Sequence, residues 1–372
     1  MRGSEPTAGR PRIERLWQSH LSLADVARWI PLAGASGIFR LGVSARRLYW
    51  QMMKRAAGVK TISVGNLTVG GNGKTPFTIF LASRLQSRGL KVGIVSRGYS
   101  RRRGGAAATL IADRGELLVT AEEAGDEPAM MAKSFSGPIA VARRRLDGIE
   151  LLMRRGPLDA VILDDAFQHL RLERDVDLVL INSARGLGNG WMLPAGPMRE
   201  PLGAIDRADA IVLIDAGGGE SALSKSQMER IRALTVLHAT IRARALVAIE
   251  HGAWREIPIA LVGARVLAVS GLADPSGFYA MLRALEADLI GVLEYPDHHA
   301  YSASDWRAIV NALGEGDIVV TTEKDLVKLE RFPFTRNSLY ALRLEIEMAP
   351  AEAAALDELI VGRELQTSAA QS

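Results

Sequence analysis

A chain of 372 residues with 48% hydrophobic composition can bury sizeable cores and fill two domains, which excludes a disordered or fibrous protein. It has no cysteine, so disulfides, thiolate metal sites and thiol nucleophiles are excluded as well. The formal net charge of +4 is small but uneven, because residues 1–60 hold eleven Lys and Arg against three Asp and Glu; such local basicity suits nucleic acid or an anionic membrane surface.

Residues 1–12 are polar, with Gly and Pro, and read as a loose tail without the apolar region of a signal peptide. The apolar run Trp29–Phe39 is bounded by Arg28 and Arg40, far short of the roughly 20 residues that span a bilayer. Ile38, Leu41, Ala45, Leu48 and Met52 recur at helical spacing among Arg40, Arg46, Arg47, Lys54 and Arg55. That pattern suits an interfacial membrane helix and, equally, an ordinary amphipathic helix packed on a domain.

Thr61, Ile62 and Val64 predict a strand, and an apolar-periodic segment from Pro76 to about Leu85 predicts a helix. Between them, Thr68, Val69, Gly70, Gly71, Asn72, Gly73, Lys74 and Thr75 form a glycine-dense turn ending in Gly-Lys-Thr. In that setting glycines turn backbone N–H groups toward an anion, Lys74 reaches the outer phosphates and the Thr75 hydroxyl is offered to Mg²⁺. Thr68 stands where the strict motif has glycine, so the loop is a variant. A nucleoside-triphosphate enzyme is the expectation.

Lys91–Ser96 predicts a second strand, running into Arg97 and then Arg101, Arg102 and Arg103; of these only Arg97 is assigned to the site. Asp126 and Glu127 open a helical pattern, where acids either cap the dipole or serve as base and metal ligand. Asp159–Leu163 predicts a buried strand ending in Asp164 and Asp165, the hard oxygen donors that a phosphate-bridging Mg²⁺ needs. His169 suits a structural or a functional role equally. Further buried strands are expected at Asp177–Ile181 and Ala210–Ile214, with a proline-rich loop carrying Arg199 and Glu200 between them. Val236–Ile241 and Ala245–Glu250 read as two strands about a turn at 242–244, connecting two halves. Val266–Ser270 and Asp317–Thr322 make the second half α/β too, and it holds Asp297-His298-His299 and Thr322-Glu-Lys-Asp325. From Leu365 the chain is polar.

These motifs together resemble the tetraacyldisaccharide 4′-kinases, which phosphorylate the lipid A precursor of Gram-negative bacteria. The resemblance runs from about Trp29 to Lys328 and rests on Ser63–Pro76, Ser96–Tyr99, Gly125–Pro128, Leu163–His169, Pro194–Pro201, Asp297–His299 and Thr322–Asp325. Ser100 and Leu326 depart from the family pattern without removing a charged group. The resemblance implies transfer of the ATP γ-phosphoryl to the 4′-hydroxyl of tetraacyldisaccharide 1-phosphate, giving lipid IVA, by a peripheral protein at the cytoplasmic face of the inner membrane. No nucleic acid and no obligate protein partner is implied.

By the same resemblance Lys74 and Thr75 bind phosphates and Mg²⁺, and Glu127, Asp164 and Asp165 join the metal site. Arg199 and Glu200 flank the reacting groups, Asp126 is the base, and His298 is its partner, with His299 adjacent. The implied fold is a P-loop NTPase-type parallel sheet sandwiched by helices, with a smaller α/β domain joined by a β-hairpin linker and an N-terminal amphipathic membrane helix. The corresponding divisions are 1–56, a kinase core at 57–235, a linker or hinge at 236–260, a C-terminal domain at 261–350 and a terminal helix and tail at 351–372. The rival is a soluble P-loop kinase or NTPase switch whose basic N-terminus binds nucleic acid or protein. A non-enzymatic ATP-binding scaffold is disfavoured by the carboxylates.

Overall fold

The computed structural model describes residues 17, 23–98, 107–217, 221–333 and 339–365. The N-terminal and C-terminal tails, and Tyr99 to Arg103, lie outside the described residues. Helix α1 (Leu23–Met52) precedes strand β1 (Lys60–Asn66), helix α2 (Lys74–Ser87) and β2 (Val92–Ser96). Two short strands, β3 (Ala108–Asp113) and β4 (Glu116–Leu117), lead to α3 (Ala121–Ala124) and α4 (Asp126–Ala132). The first half continues through β5 (Ile139–Ala142), α5 (Arg145–Arg155), β6 (Ala160–Asp164), β7 (Val176–Asn182), β8 (Ala210–Asp215) and α6 (Lys225–Arg232). Strand β9 (Thr235–Glu250) and β10 (Ala253–Ile257) follow. The rest comprises β11 (Arg265–Ser270), α7 (Ser276–Ala284), β12 (Asp288–Glu294), α8 (Ala303–Asn311), β13 (Ile318–Thr322), α9 (Glu323–Leu329), β14 (Leu339–Glu347) and α10 (Pro350–Leu365).

All the strands join one sheet in the order β12-β11-β13-β14-β9-β8-β7-β1-β6-β2-β5-β3-β4, with β10 on β9. Pairing is parallel from β5 through β2, β6, β1, β7 and β8 to β9, and again from β12 through β11 and β13 to β14. Parallel strands buried on both faces read as continuous apolar runs, as in β6 (Ala-Val-Ile-Leu-Asp), every residue of which is buried. Phe77, Leu81 and Leu85 of α2 pack on this sheet in a core that also takes Val327 of α9, Ile346 of β14 and Leu356 and Ile360 of α10. The order reverses at β1, which lies between β6 and β7. Ligand sites form at the carboxyl ends of strands beside such a switch point.

The expected turn at 242–244 does not form. Residues 235–250 are one strand, parallel to β8 through Thr235–Thr240 and antiparallel to β14 through Thr240–Ala248. Arg242 and Arg244 simply alternate outward on it. The turn comes at His251 (φ 53°) and Gly252 (φ 78°), the consecutive left-handed residues that a tight hairpin needs, and β10 then returns along β9.

Helix α1 contains Pro31, and no described helix is long and apolar enough to cross a membrane. It docks on the loop after β7: Trp29 Nε1 donates to Ala195 O (3.0 Å), Ser36 Oγ to Met192 O (2.9 Å), and Trp29 stacks edge-on with Trp191. The predicted stripe is turned away from that contact. Ile38, Leu41, Leu48 and Met52 are 65–82% exposed.

Candidate active site

The phosphate loop leaves β1 at buried Asn66 and re-enters regular structure at Lys74. Gly70 (φ 100°) and Gly73 (φ 72°) take left-handed backbone, which is why glycine stands there. Thr68 has no such requirement. Its backbone bridges to Met198 and its hydroxyl accepts from Asn72 Nδ2 (3.1 Å), so a side chain is useful where the strict motif has none. Gly73 offers no side-chain cap, leaving the first-turn N–H groups of α2 for an anion. Lys74 Nζ rests 3.2 Å from Asn66 Oδ1 and 3.5 Å from Asp165.

Asp164 and Asp165 arrive at the end of β6, the neighbour of β1. Asp164 is buried, and Ser96 Oγ donates to it at 2.9 Å from the end of β2. Burial, with the charges of Glu127 and Asp165, raises its pKa. Burial works the same way on Asp165, but there Lys74 and Arg199 prevail and lower it; Arg199 Nη1 spans both oxygens at 3.0 and 3.1 Å. Asp165 has a left-handed φ of 46°. The fully buried Arg145 secures that turn, donating to Ala142 O (3.1 Å), Asp164 O (2.8 Å) and Asp165 O (3.4 Å). Gly65 lets the following segment approach, since a Cβ there would lie 2.5 Å from Phe167 Cβ.

Among the described residues no three His, Asp or Glu side chains form a closed metal cage. A phosphate-borne Mg²⁺ does not need one, because it keeps waters and takes only one or two protein carboxylates. A buried carboxylate whose ionisation is opposed by two neighbouring carboxylates is the donor set that a divalent cation relieves. The residues therefore fit Mg²⁺ held jointly with phosphates.

Asp126 and Glu127 begin α4, and the second half of the chain closes over them. His298 Nδ1 lies 3.1 Å from Asp126 Oδ2, and Lys328 Nζ lies 3.4 Å from the same oxygen. Burial opposes ionisation of Asp126, but the His298 hydrogen bond and the Lys328 and Lys324 charges outweigh it, so its pKa is lowered. With Nδ1–H donated, His298 presents Nε2 as an acceptor, 3.5 Å from Lys324 Nζ. Lys324 also lies 2.8 Å from Asp297 and 3.9 Å from Glu127. His299 is engaged elsewhere, 3.0 Å from Asp305 and stacked on Tyr295. His298, like Asp165, is one of the few non-glycine residues with positive φ (60°), and such strain gathers at functional sites.

The proline-rich loop braces the phosphate loop through Val69 N to Pro197 O (2.9 Å) and Arg199 N to Leu67 O (2.7 Å). Arg199 points to Asp165, whereas Glu200 is 3% exposed and paired with Arg207 (3.0 Å), which stacks over Phe167. Sequence reasoning gave no role to Arg145, Lys324, Lys328 or Arg185. Arg185 donates to Gly71 O (3.3 Å) and pairs with Asp274 across the two halves. The four-residue spacing of Lys324 and Lys328 just after a strand was the available signal.

A cavity of about 860 Å³ opens beside Asp165 and Arg199, beneath α1. Arg46, Arg97, Arg143 and Arg171 line it with Phe39 and Trp50. His169 stands in it; burial and the surrounding arginines push its pKa down to about 4, so it is neutral near pH 7.

A glycine-rich loop at the switch point of a parallel sheet, with carboxylates on the adjacent strand and a histidine-bonded carboxylate from α4, defines a P-loop phosphoryl-transfer enzyme. The family model for tetraacyldisaccharide-1-P 4′-kinase matches residues 28–362. A tetraacyldisaccharide 4′-kinase of Anaeromyxobacter sp. (strain Fw109-5) is 38% identical over 356 residues, 91% of this chain and 93% of the relative. One from Geobacter sulfurreducens is 38% identical over 304 residues, covering 80% and 83%. The solved LpxK from Aquifex aeolicus, in complex with ATP, matches with a TM-score of 0.72 at 31% identity, covering 88% of this chain and 96% of that one. The chain belongs to the tetraacyldisaccharide-1-phosphate 4′-kinase family.

Proposed function

We propose that this chain transfers the γ-phosphoryl group of ATP to the 4′-hydroxyl of tetraacyldisaccharide 1-phosphate, giving lipid IVA and ADP. The Asp126–His298 hydrogen bond of 3.1 Å carries the reading, because it orients a carboxylate next in sequence to Glu127, whose charge acts on Asp164 at the end of β6. Thr68 to Thr75 wrap the phosphates, and Lys74 moves its charge from Asp165 to them. Thr75 and one or two of the carboxylates Glu127, Asp164 and Asp165 would hold Mg²⁺, which would offset phosphate charge when bound. Asp126 takes the hydroxyl proton as the new O–P bond forms and the bond to ADP breaks. Arg199 keeps Asp165 ionised, and Glu200 acts through Arg207 by seating the Phe167 segment. Catalysis in such a loose transfer comes mainly from position and charge, with the base acting late.

The acceptor lies in the arginine-lined cavity, its phosphate among Arg46, Arg97, Arg143 and Arg171 and its acyl chains toward α1. The outward stripe of α1 then rests in the membrane interface at the cytoplasmic face of the inner membrane, with neighbouring arginines on anionic headgroups. Neither nucleic acid nor a protein partner enters this reading. The divisions 57–235 and 261–350 act as lobes about 236–260, since Lys74 and Asp126 come from one and His298 from the other; 1–56 anchors and 351–372 clamps α2 through Asp357, which binds Arg84 and Arg88. Closure excludes water that would otherwise hydrolyse ATP.

The deciding experiment follows labelled γ-phosphate from ATP into tetraacyldisaccharide 1-phosphate in detergent micelles, with and without Mg²⁺. Mg²⁺-dependent labelled lipid is expected; none from protein that binds ATP overturns the assignment. For the anchor, Ile38→Asp with Leu41→Asp and Leu48→Asp is expected to abolish sedimentation with anionic phospholipid vesicles while ATP affinity stays within about twofold. Undiminished sedimentation removes the interfacial role of α1.

A further inference from the structure

On the kinase reading above, we propose that Lys328, anchored by the buried Asp325, is a positioning residue that sets the Asp126 carboxylate for the acceptor hydroxyl. Asp325 is wholly buried on α9. Its Oδ2 accepts from Gly271 N (2.9 Å) and from Thr322 Oγ1 (2.8 Å), and its Oδ1 lies 3.0 Å from Lys328 Nζ. Residue 271 has no room for a side chain, because a Cβ would fall 2.8 Å from Asp325 Oδ1. The carboxylate is thus fixed by backbone and hydroxyl before it meets the lysine.

A buried ammonium needs a compensating charge, and Asp325 supplies it. Lys328 nevertheless reaches a second carboxylate, Asp126, at 3.4 Å, while its Nζ sits 5.4 Å from the Tyr301 ring centroid. His298 Nδ1 approaches the same Asp126 atom, Oδ2. The His298 hydrogen bond and the Lys328 ion pair meet at that one oxygen, which holds it in place and leaves Oδ1 for the hydroxyl. Both partners belong to the second half of the chain, so the base is set only when the two halves meet. The lysine lowers the basicity of Asp126 as it orients it, which costs little where the proton moves late and geometry governs the rate.

The test compares Lys328→Met with the wild type by steady-state transfer in micelles. Expected is a kcat roughly 10- to 100-fold lower, with KM for ATP and for the lipid each within about twofold. The same substitution in an Asp126→Asn background is expected to change the residual rate by less than about twofold, because the group it positions is already gone. An equal fold-loss in both backgrounds, or a wild-type kcat in Lys328→Met, overturns the proposal. If Lys328→Met shows no cooperative melt, Asp325→Asn with Lys328→Met removes both charges together and is judged by the same outcomes. A wild type that makes no phosphorylated lipid overturns the kinase reading and this proposal with it, whereas an active wild type with an unaffected variant overturns this proposal alone.

Discussion

Asp126→Ala is expected to lower lipid phosphorylation by roughly 10²- to 10⁴-fold while leaving ATP affinity within about twofold. The carboxylate contacts no part of the phosphate loop; its described partners are His298 and Lys328. Removing it takes away the proton acceptor and leaves Lys74, Asp164 and the N-terminus of α2 in place. The fall should appear in kcat rather than KM, since the group matters only as the hydroxyl attacks. Because the Asp126 pKa is lowered, the group is ionised throughout the neutral range, and wild-type activity should show no loss from its protonation between pH 6 and 8. Single-turnover transfer with nucleotide binding measured alongside decides the matter. Retention of a tenth or more of the wild-type rate, as an order of magnitude, would remove Asp126 as the base.

Arg145→Leu is expected to cost about 3 kcal/mol of folding stability, read from the denaturation midpoint. Arg145 is 2% exposed, and its guanidinium holds the carbonyls at the end of β5, of Asp164 at the end of β6 and of Asp165 just after it. Leucine fills part of the volume but leaves these buried acceptors unpaired. The left-handed turn at Asp165 loses its brace, so the pairing with Arg199 and Lys74 should loosen and kcat should fall too. A midpoint shift equivalent to less than about 0.5 kcal/mol would mean that water or neighbouring donors take over those carbonyls.

The site was legible wherever its chemistry is local. Gly70 to Thr75 sit between an apolar strand and a helix, and the left-handed glycines, the lysine and the helix N-terminus act within one turn of chain. Asp164 and Asp165 were legible because the short apolar, β-branched run Ala160–Leu163 before them suits a central strand, and the structure sets that strand beside β1, with its last residues toward the phosphate loop. Less was legible where two explanations share one pattern. The stripe Ile38–Met52 has helical spacing whether it faces a core or a lipid, and only its exposure shows that it does not face the core of this chain. Arg242-Ala-Arg244 looked like a connection because it is charged, but charge also marks the outward residues of a strand. The missing signal was a residue suited to left-handed backbone, present at Gly252 and absent at 242–244.

By itself the sequence determined a glycine-rich loop between strand and helix, an acidic strand end, the alternation of a mostly parallel α/β protein and the order of the family's motifs. Tertiary structure alone decided that a single long strand welds both halves into one sheet, that Glu200 is spent on Arg207, and that His298 rather than His299 meets Asp126. It also decided that Lys324 and Lys328 lie close to Asp126. Local pattern reports the period of a segment and the backbone it favours, whereas a contact between residues 172 positions apart depends on sheet order and register, which are settled only when the whole core packs.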